Sequence, residues 1–438
     1  MRCLVAPHRD DERASRKSTR CCDYFPPKRK SRACEWPRHR KRPTTKADKG
    51  TKMRLGSLGL VASAFALALA ACGGNGGSAV TPAGVAEHTT LDFAKVADYS
   101  TRSLPAHFDQ SVAALDNSPA SRPGDDRVAT LGRVLFYDLR LSTNDRASCA
   151  SCHQQALGFT DSMRFSNGIS SAATTDFHAM RLGNLRYWRP GSTFWDRRAA
   201  SVEAQASRPF HSLVEMGWGG AAGGFDALIR KMGKTAYYPD LFGWAFGDAA
   251  ITEPRIQQSL AQFVRAMISH SSQWDTGYAQ VFAPGAPNRA LNRDLPNFTP
   301  QQNRGRQLFM MRVGEGGAGC SSCHLPPTFA LAADARSNGL DAGEKRVFKA
   351  PSLRNAGLTG PYMHDGRFAT LAEVVDFYDH GIQDGPALDN RLRQDGRPQR
   401  LNLGAADRAA LVVFVMTLSD LALTTDPRFG DPFRRPAR

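Results

Sequence analysis

The sequence predicts an all-α fold made of two related domains with long loops. Three observations carry that expectation: apolar residues recur at helical spacing, no region is strand-rich, and one local pattern occurs twice. The repeated pattern is a short apolar run with a glycine at its second position. In Leu131-Gly132-Arg133-Val134-Leu135-Phe136 the glycine stands 17 positions before Cys149. In Arg304-Gly305-Arg306-Gln307-Leu308-Phe309 it stands 15 positions before Cys320.

Each element has its own signal. Residues 253–271 place Ile256, Leu260, Phe263, Val264 and Met267 on one helical stripe. The Pro-, Asn- and Gly-rich stretch 283–298 reads as the boundary between the two units. After it, Thr299 is a helix N-cap, with Pro300 at the first position and Gln302 closing a capping box. Thr370 caps a helix running to about Tyr378. Residues 405–418 form a terminal helix with Leu411, Phe414, Val415 and Leu418 on one face.

Charge locates the chain's first segment. Of the formal +16, residues 1–52 carry +11, from 17 Lys and Arg against 6 Asp and Glu, which leaves +5 for the other 386 residues. Basicity belongs to the leader and not to a folded surface, which argues against a nucleic-acid partner. Met53-Arg54 then opens a charged start, residues 55–71 are a short apolar run, and Leu69-Ala70-Ala71-Cys72 precedes two glycines. This resembles a bacterial lipoprotein signal with Cys72 as the lipidated residue and Met53 as the true start. The expected organisation is a leader and signal over 1–72, a flexible tether over 73–90, domains over 91–285 and 296–424, and a tail over 425–438.

Four of the nine cysteines, Cys3, Cys21, Cys22 and Cys34, lie in the leader, and Cys72 is the lipid site. The remaining four make Cys149-Ala150-Ser151-Cys152-His153 and Cys320-Ser321-Ser322-Cys323-His324. Cys-x-x-Cys-His is the haem c attachment pattern. Two thiols three positions apart reach the two vinyl groups on one porphyrin edge, and the adjacent imidazole ligates the iron. Zinc wants four ligands from motifs close in sequence, and these two motifs lie 171 positions apart. The expected cofactors are therefore two covalent haems, each in a cytochrome c-like domain. Such haems are attached outside the cytoplasm, which agrees with an export signal and a periplasmic site.

The stretches around these motifs resemble the bacterial dihaem cytochrome c peroxidase family, including its MauG-type, methylamine-utilisation branch. The resemblance covers roughly residues 125–420. It rests on Leu131-Gly132, Leu135-Phe136-Tyr137-Asp138 and Arg140-Leu141-Ser142; on Phe194-Trp195-Asp196, Arg198-Ala199, Gln205-Ala206, Pro209 and Val214-Glu215-Met216. It continues through Pro351-Ser352-Leu353-Arg354-Asn355, Thr359-Gly360-Pro361-Tyr362-Met363-His364-Asp365-Gly366 and Thr370-Leu371.

The resemblance implies roles. Glu215 is the acid–base catalyst in the pocket of the first haem, with Gln205 and Pro209 nearby, because peroxide cleavage moves a proton from one oxygen to the other. Trp195 lies between the haems and assists electron transfer. Tyr378, 14 residues after His364, stands where some members place a Met ligand to the second iron and MauG-type members place Tyr; Met363 and His380 are the competing ligands. Calcium held by carbonyls of Thr359 and Pro361 needs an Asn whose position here is His178, a poor ligand for a hard dication, so calcium stays open. His178 is also a candidate removable ligand of the first iron. The glycine-rich residues 216–224 are a candidate mobile loop, and His107, His211 and His270 read as surface or packing residues.

The expected activity is reduction of hydrogen peroxide at the first haem, with electrons entering through the second from a donor such as a small cytochrome c or cupredoxin. One alternative is MauG-type oxidation of a partner protein or small molecule, although residue 318, where that enzyme presents a surface Trp, is Ala here. Another is a non-catalytic dihaem electron carrier. The only membrane contact expected is through the lipid, and a homodimer is compatible with this reading.

Overall fold

A repeated helix crossing builds the architecture. The computed structural model describes residues 80–101, 103–170 and 172–434; the expected leader, Cys72 and the expected tether up to residue 79 lie outside them. The helix Asp126–Tyr137 starts at Asp125, whose carboxylate accepts from Arg127 N and Val128 N. It crosses the helix Glu253–Ala266 at Gly132, where a Cβ would lie 2.0 Å from the Ser259 carbonyl oxygen and 2.9 Å from Phe263 Cβ. The helix Pro300–Met310 opens with the Thr299–Gln302 capping box. It crosses the helix Ala405–Met416 at Gly305, where a Cβ would lie 1.9 Å from the Ala410 oxygen and 2.9 Å from Phe414 Cβ. Both glycines permit a backbone approach that any side chain would block. Each crossing immediately precedes one Cys-x-x-Cys-His.

Two large apolar clusters surround these crossings. One gathers Leu131, Val134, Leu135, Phe136, Leu260 and Phe263; the other gathers Trp274, Tyr278, Phe309, Phe329, Leu411 and Phe414. Helices and turns dominate, as expected. Strands among the described residues are two short antiparallel pairs, His324–Leu325 with Ala330–Leu331 and Arg393–Gln394 with Arg397–Pro398. Among the described residues, no helix is long and apolar enough to cross a membrane.

Several boundaries differ from expectation. Residues 80–90 are not free tether: Ala83–His88 is helical and Val85 is fully buried in the first cluster. Nor is the segment from 425 a loose tail. Phe429 is buried there too, and its carbonyl accepts from Tyr137 Oη at 2.6 Å, while Arg434 N donates to His88 O. The helix Gln273–Val281 was expected with the first domain, yet its Trp274 and Tyr278 pack in the second cluster. The 253–271 helix stops at Ala266 because distant groups claim the following backbone. Asn184 bonds both Ser269 N and Ser269 O, and Asp420 accepts from His270 N and Ser271 N.

His107 is a core residue. Its Nε2 lies 2.9 Å from Asp275 Oδ1, and the same carboxylate takes both terminal nitrogens of Arg354, with Nη2 to Oδ1 at 2.7 Å. All three side chains are buried, and they tie the segment before residue 110 to the second cluster.

Candidate active site

The first motif opens on the helical turn Cys149–Cys152, where Ser148 N donates to the Ser151 hydroxyl. His153 follows, with Nδ1 3.0 Å from Phe159 O. A carbonyl can only accept, so Nδ1 carries the hydrogen and Nε2 is left for a metal. Burial lowers this imidazole's pKa and keeps it neutral. Burial also pushes Cys149 up to about 12 and Cys152 up to about 11, with the charge of Glu215 among the smaller contributions to both. Such thiols are inert as nucleophiles, unlike those of a redox pair.

Glu215 is thus within electrostatic reach of both attachment thiols. It is half-buried at the end of a turn in which its own N–H donates to Ser212 Oγ at 3.1 Å. Burial raises its carboxyl above the ordinary 4.5, against the pull of Ser212 and Arg198. Gln205 sits on the helix Val202–Ala206, which leads through Arg208–His211, with Pro209, into this turn. Its side chain makes no hydrogen bond among the described residues. The loop expected to be mobile is half fixed: Met216 and Trp218 are buried, and Trp218 Nε1 donates to Leu141 O at 2.7 Å. Only 219–224 runs along the surface, in a glycine-rich turn.

The second motif lines a largely apolar cavity of about 500 Å³. Cys320, Cys323 and His324 form part of its wall, with Leu353, Val375, Leu411 and Val415 among the apolar residues. Burial, then Arg181, drives the His324 imidazole down to about 4, so it is neutral. Its Nδ1 is buried without a partner. Paired thiols, a neutral imidazole and a large apolar hollow fit a covalent haem.

Tyr378 and Met363 also line this cavity, and one amide touches both: Asn338 Nδ2 lies 3.4 Å from Tyr378 Oη and 3.6 Å from Met363 Sδ. The helix capped by Thr370 ends at Asp376, and Tyr378 stands in the wide π-helical turn Phe377–Gly381. Turns of this kind recur at functional sites. Burial pushes the Tyr378 phenol up to about 12. His380, one residue past Asp379 in the same turn, is 62% exposed and turns to the Asp379 carboxylate, away from the cavity. Ala318 is buried in the cavity wall, so this position presents nothing to a partner.

Trp195 connects the two sites. It lines the second cavity, its ring sits 6.4 Å from that of His364, and its Nε1 donates to His178 O at 2.8 Å. His178 packs against Thr160, whose carbonyl accepts from the backbone of Gln154, the neighbour of His153. A cation already stands among the residues considered for calcium. Arg181 Nη1 donates to Thr359 Oγ1 at 2.9 Å, and His178 Nδ1 is occupied by Met163 O. With Pro361 they make a set that does not fit a hard dication. Arg181 was not legible as a site residue; a lone charge in the apolar stretch 179–182 is its only sequence trace.

Comparison with known proteins bears on this geometry. The family model described as di-haem cytochrome c peroxidase matches residues 126–280. The chain is 30% identical over 372 residues to the methylamine utilization protein MauG of Methylorubrum extorquens (strain AM1), covering 81% of this chain and 94% of that protein. The chain belongs to the di-haem cytochrome c peroxidase family. Another relative, the cytochrome c551 peroxidase of Nitrosomonas europaea, is 30% identical over 302 residues, covering 63% of this chain and 80% of the relative. Among solved structures, a MauG-like protein associated with microbial copper homeostasis superposes with a TM-score of 0.58 at 30% identity, covering 72% of this chain and 96% of that one. As a family member the chain is an oxidoreductase acting on peroxide, with two c-type haems.

Proposed function

We propose that this di-haem protein reduces hydrogen peroxide to two waters, taking two electrons from an external donor and two protons from solvent. The observation that carries the reading is Glu215, a carboxyl raised by burial and within electrostatic reach of the first pair of cysteines. Haem, when bound, supplies the iron that exchanges electrons with peroxide. The Glu215 carboxylate takes the proton from one peroxide oxygen and hands it to the other, so that water leaves. Gln205, on the helix leading into this turn, orients the peroxide. Trp195, bonded to His178 O and facing the second cavity, conducts between the two sites. His153 and His324 would hold the two irons beside their attachment cysteines, and Tyr378 would be a further ligand at the second site.

The reading places the protein in the periplasm, held by a lipid on Cys72, with two haem domains and a small cytochrome c or cupredoxin as donor. Calcium has no part in it. The test is direct: protein matured in a host that attaches haem c should gain the mass of two haems and oxidise a reduced small cytochrome with peroxide at two equivalents per peroxide. Two haems without any peroxide consumption would reject it in favour of an electron carrier.

A second reading, oxidation of a partner protein, is favoured by Tyr378 at the second cavity, because a phenolate stabilises oxidised iron better than a thioether does. Since Ala318 is buried, any such partner would have to dock elsewhere than at residue 318.

A further inference from the structure

The joint between the two sites carries a fixed charge where the family resemblance implies a metal. His178, Thr359 and Pro361 are the residues considered for calcium, and Arg181 reaches each of them or its neighbour. Its Nη1 donates to Thr359 Oγ1 at 2.9 Å. Its charge also bears on the Tyr362 phenol, next to Pro361, and on the His178 imidazole. Nη2 and Nε both donate to Ser352 O, at 3.1 and 3.4 Å. Among the described residues no carboxylate pairs with this guanidinium. Burial pulls it down to about 10, which leaves it charged at neutral pH.

These bonds cross the joint. Thr359 is fully buried on the side of the first motif, where a Cβ on Gly158, five positions after His153, would lie 3.2 Å from Thr359 Cγ2. Ser352 stands between Pro351 and Leu353, which both line the second cavity. His178, three residues before Arg181, holds Trp195 Nε1 through its carbonyl, and its own N–H donates to His364 O at 2.9 Å. One side chain therefore ties the segment under Trp195 to loops on both sides.

A hard dication needs several oxygen lone pairs at once. His178 offers no oxygen, and its Nδ1 is turned to Met163 O at 3.0 Å. Among the described residues no group of three or more His, Cys, Asp or Glu side chains could hold a metal ion. A guanidinium meets oxygen acceptors with hydrogens, through five donors in a rigid fork. It brings positive charge to the same loops and repels any second cation.

We propose that Arg181 is a built-in cation that braces this joint in place of calcium, so that the protein neither binds nor needs a divalent metal there. The inference rests on the joint's geometry and stands whether or not the protein consumes peroxide.

Calorimetry, thermal unfolding and stopped-flow reduction of the matured two-haem protein test this, with calcium chloride as probe and magnesium chloride as control. The parent, stripped with a chelator, should bind no calcium up to about 10⁻³ M, the weak end of extracellular calcium modules. Its melting temperature and haem spectra should not move when calcium is returned. A melting temperature lowered by the chelator and restored by calcium would overturn the proposal. Arg181→Ser should keep both haems by mass, melt lower and pass electrons more slowly between the sites. Arg181→Lys, which keeps the charge and loses the fork, should recover part of both. A serine variant equal to the parent in melting and transfer would overturn the brace. Should that variant fail to mature, the parent's response to calcium and the lysine variant's lower melting temperature decide. Adding His178→Asn to Arg181→Ser supplies an oxygen and removes the charge, so the double variant should bind calcium and melt higher with it. A double variant indifferent to calcium would overturn the exchange of ion for side chain. Peroxide turnover enters none of these readouts, so failure of the peroxidase reading is told apart from failure here.

Discussion

Trp195 Nε1 donates to the carbonyl of His178 at 2.8 Å, and this one bond joins the wall of the second cavity to a residue packed beside the first haem motif. The segment 178–181 is the joint between the sites. His178 faces Thr160, the Met180 backbone faces the His153 imidazole, and Arg181 lines the second cavity near His324. Trp195→Phe keeps an aromatic ring, though a smaller one, and removes the donor. Both haems should remain, and electron transfer between the sites, followed by stopped-flow reduction, should slow.

Replacing Glu215 by Gln removes the proton carrier and leaves the attachment chemistry alone. Both haem masses should persist while turnover with peroxide falls by about 10²–10⁴-fold. The parent's pH profile should carry the same signature. Burial raises this carboxyl above 4.5, and the proton-accepting form lies above the raised value. kcat/KM should therefore fall on acidification at a pH higher than a free glutamate would give, and Glu215→Gln should abolish that limb.

Tyr378 and Met363 both line the second cavity, with Asn338 touching both. With Tyr378 as ligand, Tyr378→Met should raise the midpoint potential of the second haem, since a thioether favours the reduced iron. Met363→Leu should leave that potential and the spectrum nearly as they were. The reverse pattern in a redox titration would make Met363 the ligand.

The buried Asp275 sets an acid limit on stability. Burial alone would raise its carboxyl, but Arg354, then His107 and Ser272, hold it well below the ordinary 3.8. A depressed folded-state value means the stabilisation is fully present above the unfolded-state value and is lost as pH falls through the folded one. Arg354→Met leaves that carboxylate buried without its main partner, which should cost about 3–5 kcal/mol. Urea denaturation at neutral pH checks the loss, and the variant should also show less loss of stability on acidification than the parent.

Gly132→Ala and Gly305→Ala should destabilise the protein by similar amounts, at the upper end of the about 1–3 kcal/mol typical of overpacking. The obstructing atoms, Ser259 O and Ala410 O, are helix backbone and cannot swing aside. Thermal unfolding of the two variants would show the equivalence. A tolerated alanine at either site would mean that its helices part without penalty.

Much of the site was legible because its chemistry is local. Cys-x-x-Cys-His, the Thr299 and Thr370 capping boxes and the apolar stripes all lie within a few residues of one another, where spacing alone determines geometry. What escaped depends on partners far along the chain. The helix from Glu253 ends early because Asn184 and Asp420 hold residues 269–271. His107 is buried because Asp275 awaits it 168 positions later. Arg181 is an ordinary surface-type residue in sequence, and only the fold brings Ser352 and Thr359 to it. The glycine at the head of each repeat was visible as a match, but its cause, a backbone crossing, needed the opposite helix.

The closing strand of contacts from Phe429 to Arg434 has a consequence for biogenesis. Tyr137, Arg133, Thr90 and His88 all bond to carbonyls or amides of residues 429–434. The half of the molecule made first therefore lacks its own latch until nearly all of the second half has been synthesised. A porphyrin fixed at Cys149 and Cys152 before that segment docks would sit in an incompletely sealed hydrophobic shell. A chain truncated before residue 429 should accordingly, once exported and matured, carry its first cofactor in a solvent-accessible, protease-sensitive form, with docking of residues 429–434 as the event that shuts it in.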